Sequence, residues 1–300
     1  MKAFLVRTLL RASALLPLDL SRACGRAVGR LLWWSRSSPR RITQRNIDLA
    51  FPELGPAERT ALARRSLRAT GELVCEMGFV WHRPWDELRR YIVDVRGDDA
   101  VVEAKHQGQG VVILGPHLGN WEVAGLYIAT LGDALALYEP PHMTALEALV
   151  RSARGRTGAR LAPTTARGLT TLVRTLRRGG VTCILPDQVP PVLEAGENSV
   201  FMGTPCFTMT FASKLLQRSG ARAFFSFAER VDKGFRLHFV PADEALYSAD
   251  IATSLAALNR GVEACLRVCP EQYQWEYKRF RTRPLQDDHY AHGRAAGDHP

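Results

Sequence analysis

The sequence predicts an α/β fold with a mostly parallel central sheet flanked by helices, and three observations carry that reading. Short apolar runs at residues 91–95, 111–114, 134–138 and 181–185 have the length and β-branched content of strands. Stretches that favour helix, at 98–106, 121–131, 143–154 and 165–178, alternate with them, as crossover helices do between parallel strands. Chain breakers stand at the junctions: Gly115-Pro116, Pro140-Pro141 and Gly179-Gly180. With 300 residues and 46% hydrophobic content the chain can bury one sizeable core, so one domain with terminal additions is expected.

Residues 1–34 come first. They are apolar but interrupted by Arg7, Arg11, Pro17, Asp19 and Arg22, so no run reaches the ~20 residues of a spanning helix. The same arginines argue against a signal peptide. Arg7 and Arg11 share one helical face, which suits a membrane-associated helix lying in the interface, with Trp33 and Trp34 at headgroup level. Residues 36–45 read as a basic loop, fit to sit against anionic lipid. Pro52 ends a helix, and Pro56 opens an amphipathic one over 57–81.

The second half is read in the same way. Residues 189–207, with Pro190, Pro191, Gly196, Gly203 and Pro205, are expected to form a long irregular loop. A helix over 208–218, a hairpin from 223–229 and 235–240, and an amphipathic helix over 251–268 follow. The tail at 273–284 mixes aromatic and basic residues, and the chain beyond 286 reads as disordered. Of the six cysteines, Cys75, Cys183 and Cys265 sit in apolar runs and read as small core residues. No C-x-x-C pair or metal-ligand cluster is visible, so neither metal nor cofactor is expected and a reducing compartment fits. The net charge of +10 points to an acidic partner, whether nucleic acid, anionic lipid or an acidic carrier protein.

Candidate chemistry gathers at strand ends, where open α/β sheets place their ligands. Gly115-Pro-His-Leu-Gly-Asn-Trp-Glu122 follows the strand at 111–114, with Asn120 as N-cap of the next helix. His117 is a candidate general base, and Glu122 a carboxylate able to fold back and brace its ring. Gly119 is expected to let a substrate approach the backbone. Main-chain N–H groups near Gly119 and Asn120 are candidate oxyanion donors. Arg154 and Arg156, beside Gly155 and Gly158, are candidates for binding phosphate or sugar. Asp187 and Gln188 follow the strand at 181–185; Asp187 either orients a substrate hydroxyl, holds an arginine or caps a turn.

The His117-x4-Glu122 segment resembles the H-x4-D/E motif of the lipid A late acyltransferases, relatives of the glycerolipid acyltransferases. Further likenesses are the Asn46 to Glu53 segment, Arg154-x-Arg156-x-Gly158, Asp187-Gln188, Phe201 to Pro205, and the closing Trp275 to Pro284. Met202 stands where that family carries an aromatic residue. The likeness covers roughly residues 40–285. It implies a glycerolipid acyltransferase-like domain over 35–286, after a membrane-associated segment 1–34 and before a disordered tail 287–300. It further implies transfer of a fatty acyl chain from acyl carrier protein to a hydroxyl of a lipid A precursor, in lipopolysaccharide biosynthesis. The expected place is the cytoplasmic face of the inner membrane, with anionic lipid and a glycolipid acceptor as partners and no nucleic acid. His117 and Glu122 would be catalytic; Gly119, Asn120, Arg154, Arg156, Asp187 and Gln188 would bind substrate. Another glycolipid or a lysophospholipid acceptor stays open. A basic nucleic-acid-binding protein is the rival from another class, and it leaves His117, Glu122 and Asp187 at strand ends unexplained.

Overall fold

The computed structural model describes residues 2–138, 146–284 and 289–290. Two helices open the chain, α1 (Lys2–Ala14) and α2 (Leu18–Trp34), parted at Pro17 because proline there starts a helix but cannot continue one. They are followed by α3 (Ser38–Ala50) and the long α4 (Pro56–His82). Residues 36–45, read above as a basic loop, lie mostly inside α3, whose first turn carries Pro39.

Both α1 and α2 pack along α4. Gly25 and Gly29 of α2 face the α4 backbone so closely that a Cβ on Gly25 would lie 2.5 Å from the Gly71 oxygen and from the Glu72 Cα. Small residues at this crossing let two backbones touch. Trp33 is buried between two guanidiniums, Arg40 at 4.0 Å and Arg64 at 4.9 Å from its ring, whereas Trp34 is 79% exposed. The expected aromatic pair is therefore split: one ring packs inward and one points out. Among the described residues no helix is long and apolar enough to cross a membrane.

After the one-turn helix α5 (Trp85–Leu88) come β1 (Ile92–Arg96), α6 (Asp98–His106), β2 (Val111–Leu114), α7 (Trp121–Ile128), β3 (Leu135–Tyr138), α8 (Glu147–Gly155), β4 (Arg160–Pro163), α9 (Ala166–Arg177) and β5 (Val181–Ile184). The central sheet runs β1-β9-β8-β2-β5, where β8 (Arg222–Val231) and β9 (Gly234–Pro241) form the expected hairpin. Its β1/β9, β8/β2 and β2/β5 pairings are parallel and β8/β9 is antiparallel. A parallel bridge from Ala134 to Val181 joins the small β3/β4 sheet to β5. All four β2 side chains are buried, Val112 and Leu114 in one apolar cluster and Val111 and Ile113 in another, because helices cover both faces.

Three expectations change. The predicted loop 189–207 contains β6 (Gly196–Phe201), paired with β7 (Thr204–Met209) through a two-residue turn in which Met202 and Gly203 take φ of 49° and 74°. That turn twists with its strands; a methionine at its first position and Pro205 in the second strand concealed it. The helix expected at 208–218 therefore starts later, as α10 (Phe211–Ser219), since Thr208 belongs to β7. The tail is interior: Tyr273, Trp275 and Phe280 are buried, and Arg279, 1% exposed, donates to Phe207 O, Thr208 Oγ1 and Asn259 Oδ1. Arg281 stays exposed, and Lys278 and Arg283 are half-buried. Asn259 sits on α11 (Ile251–Leu266), the expected amphipathic helix. All six cysteines are free; Cys265 is buried, and Cys75 and Cys183 are partly exposed. The expected start of a helix at Met143 and most of the chain beyond 286 lie outside the described residues.

Gly25→Val is expected to cost about 3 kcal/mol of stability through overpacking at the α2/α4 crossing. Thermal unfolding beside the parent chain measures it, and an unchanged midpoint refutes the close approach.

Candidate active site

The register of two parallel strands sets the site. Leu114 of β2 pairs with Ile184 of β5, and each strand carries its polar residue three positions further on. Those residues are His117 and Asp187, and they meet. The His117 Nδ1 lies 2.8 Å from Asp187 Oδ1, and the His117 main-chain N–H donates to Oδ2 at 2.8 Å. The hydroxyl of Tyr273 hydrogen-bonds the same buried carboxylate. Burial pushes the Asp187 carboxyl up, but the facing imidazole and the hydrogen bonds from His117 outweigh it and hold the group below its usual range. Burial and the Asp187 charge push the Tyr273 phenol well up, so it stays a donor.

An anionic Asp187 accepts a hydrogen bond from Nδ1–H and leaves Nε2 with its lone pair outward. Gln188 Nε2 sits 3.2 Å from that nitrogen, and the Trp121 ring packs edge-on to the imidazole at 4.9 Å. The tautomer of the ring is thereby fixed. The acid that fixes it is Asp187, not Glu122 as expected. Glu122 lies in the first turn of α7 and makes a two-point pair with Arg154 of α8, Nη2 to Oε1 at 2.5 Å and Nε to Oε2 at 3.2 Å. Asp187 itself holds the imidazole rather than an arginine.

The remaining expected residues divide. Asn120 caps α7 through Val123 N–H, as predicted. Its main-chain N–H donates to Ala228 O at 2.8 Å, and that of Gly119 donates to Gln272 O at 3.1 Å. Leu118 N–H goes to Pro116 O. The loop therefore has no free main-chain donor from His117 to Asn120, and the expected oxyanion donors are already engaged. Gly119 has φ of 63° and faces the Ala228 carbonyl, so the missing side chain makes room for β8 instead of a substrate. Arg156 donates to Val80 O at 2.6 Å and Trp81 O at 3.1 Å, capping the end of α4. Its two terminal nitrogens are thereby engaged with the protein.

Beneath the loop lies a cluster that sequence reasoning missed. Glu76 of α4 is 0% exposed and accepts from Arg22 Nε at 2.7 Å, Arg230 Nε at 2.9 Å and Asn120 Nδ2 at 2.9 Å. Arg230 also donates to Gly119 O at 3.0 Å, and Arg22 to Val231 O and Gly234 O. The tail closes the loop from the other side. Tyr273 bridges Leu118, Gln274 N–H donates to His117 O at 3.0 Å, and Tyr277 Oη accepts from Val189 N–H at 2.8 Å. Asn46 in turn donates to Trp275 O and Tyr277 O. The asparagine in the 46–53 segment thus ties down the tail. A second carboxyl, Glu276, is held by Thr70 Oγ1 at 3.1 Å and pushed up by burial.

A mostly parallel sheet thus carries a carboxylate-braced imidazole at its carboxyl edge, and similarity to known proteins gives the family. The model of the bacterial lipid A biosynthesis acyltransferases matches residues 1–282, and the chain belongs to that family. It is 28% identical to the lipid A biosynthesis palmitoleoyltransferase of Escherichia coli K12, over 81% of this chain and 79% of that protein. The lauroyltransferase of the same organism is 25% identical over 90% and 88% of the two chains, and the myristoyltransferase 27% over 86% and 79%.

Glu76→Ala leaves two guanidiniums buried without their carboxylate. It is expected to cost about 3–5 kcal/mol, read from denaturant unfolding; a loss under about 1 kcal/mol refutes the central place of this cluster.

Proposed function

We propose that this chain transfers a fatty acyl group from acyl carrier protein to a hydroxyl of a lipid A precursor, with His117 as general base. The observation that carries the mechanism is the Asp187–His117 pair, with Nδ1 at 2.8 Å from Oδ1. His117 Nε2 removes the proton of the acceptor hydroxyl as its oxygen attacks the thioester carbonyl. Asp187 stabilises the imidazolium that results. When the tetrahedral intermediate collapses, the C–S bond breaks and the departing thiolate takes the proton back from Nε2. Glu122 acts through Arg154, whose side chain is 43% exposed beside the site and offers its outer edge to the acceptor. Donor carriers of this kind are acidic, which suits a chain of charge +10.

The membrane setting is also a proposal, supported by α2. Leu20, Cys24, Ala27, Val28, Leu31 and Trp34 recur at three- and four-residue spacing on its outer face and are exposed, Leu31 by 68%. Gly25, Gly29 and Trp33 pack the opposite side. Arg30, Arg36 and Arg41 stand exposed near the same stripe. A helix with one apolar and one packed face, followed by arginines, lies in an anionic interface rather than across it.

Two measurements follow. In transfer assays with acyl carrier protein thioester and lipid A precursor, His117→Ala and Asp187→Asn are each expected to lose about 10³-fold or more in kcat. Near-normal transfer by both ends the mechanism, and a lipid A mass profile unchanged by loss of the protein ends the choice of acceptor. Replacing Leu31 and Trp34 together by glutamate is expected to abolish sedimentation with anionic vesicles while leaving the fold intact by circular dichroism; unchanged sedimentation refutes the α2 interface.

A further inference from the structure

The geometry points to the side-chain amides of Gln188 and Gln274 as the oxyanion site of the transfer, an inference that rests on the acyl-transfer reading above. The developing negative charge on the thioester oxygen needs donors about 3 Å away, close to the nitrogen that activates the nucleophile. The loop that carries the base supplies none from its main chain. His117 N–H is held by Asp187, Leu118 N–H by Pro116, Gly119 N–H by Gln272 and Asn120 N–H by Ala228. The Asn120 side chain gives its amide nitrogen to Glu76 and its oxygen to Val123.

What faces Nε2 is the carboxamide of Gln188, with that of Gln274 bonded to it, and their orientation follows from the buried acid. Asp187 is anionic and accepts a hydrogen bond from Nδ1–H, so Nε2 is an acceptor. The Gln188 group 3.2 Å from it must then be NH2, with the Gln188 oxygen turned away. That NH2 has a second hydrogen, directed at Gln274 Oε1 at 3.4 Å, and the Gln274 NH2 is left pointing onward. One carboxylate thus orders a row of N–H donors beside the base. Both glutamines are anchored by main-chain bonds of their own segments. Val189 N–H is fixed to Tyr277 Oη, and Gln274 N–H to His117 O.

In the free enzyme the Gln188 amide occupies the place of the acceptor hydroxyl on Nε2. When the hydroxyl arrives it displaces this donor, which turns to the adjacent thioester oxygen. As the C–O bond forms, the electron pair of the carbonyl moves onto that oxygen and meets the N–H groups of Gln188 and Gln274. On collapse the pair returns to the carbonyl and the C–S bond breaks. The amides give up no proton at any stage, so the proton passes only between hydroxyl, His117 and leaving thiolate.

Steady-state transfer with acyl carrier protein thioester and lipid A precursor tests this with Gln188→Leu, Gln188→Glu and Gln274→Leu in the full chain. Loss of an oxyanion donor is expected to lower kcat about a hundredfold or more for Gln188→Leu, with KM for both substrates within about threefold. Gln188→Glu matches the shape but donates nothing, and is expected to fall equally far at pH above 7. Gln274→Leu is expected to lose about tenfold, and the double variant less than the product of the two losses, since the donors share one charge. The pH at half-maximal rate on the acid limb, set by His117, is expected to stay where it is. Retention of kcat within about threefold by Gln188→Leu overturns the assignment, as does a loss confined to KM. A loss accompanied by a shift of the acid limb makes Gln188 a positioning residue for the ring and also overturns it. Absence of transfer by the parent chain instead sinks the acyl-transfer reading itself.

Discussion

One buried carboxylate holds together the end of this molecule that carries His117. Glu76 has no exposed surface, and its two oxygens receive Arg22 from α2, Arg230 from β8 and Asn120 from the loop after β2. Two cations around one anion leave net positive charge in the interior, which is tolerable only because main-chain oxygens of Gly119, Val231 and Gly234 take the remaining N–H groups. The arrangement joins four elements distant in sequence, and each is needed for the loop to hold its shape. The same contacts give Gly119 and Asn120 structural roles: one makes room for β8, the other reaches down to the carboxylate.

Above that anchor the chemistry is ordered by strand register. Because β2 and β5 are parallel neighbours with Leu114 opposite Ile184, equal overhangs bring His117 and Asp187 face to face without any special turn. Three donors then converge on Asp187, and its low pKa sets the imidazole tautomer and, through it, the direction of each amide beyond. The polarity of the site thus runs outward from a single ionised group.

Local pattern made much of the fold legible. The buried strands at 111–114 and 181–184, the helix 98–106 and the 222–241 hairpin follow from runs and breakers that need no tertiary knowledge. His117 was readable because it follows a buried strand before a capped helix. Its partner was not. Glu122 is nearer in sequence and on the next helix, but the distance along the chain says nothing about which acid the sheet brings alongside; strand order decides that, and only pairing reveals it. Glu76 was hidden for a similar reason, as one acid among many charges on an amphipathic helix. The tail misled most: alternating aromatic and basic residues look like a surface for polyanions, yet Arg279 finds three oxygens inside the fold.

The placement of that tail bears on how the loop after β2 keeps its shape. The partners of His117 O and Gly119 N–H come from residues 272–274, and Asn46 near the start holds the segment that follows. The loop after β2 is therefore lined by a segment far from it in sequence. That segment is held in turn by Asn46 of α3, so helix, loop and strap lock one another. A chain cut short before residue 272 would keep His117 but lose the partners of the loop that carries it.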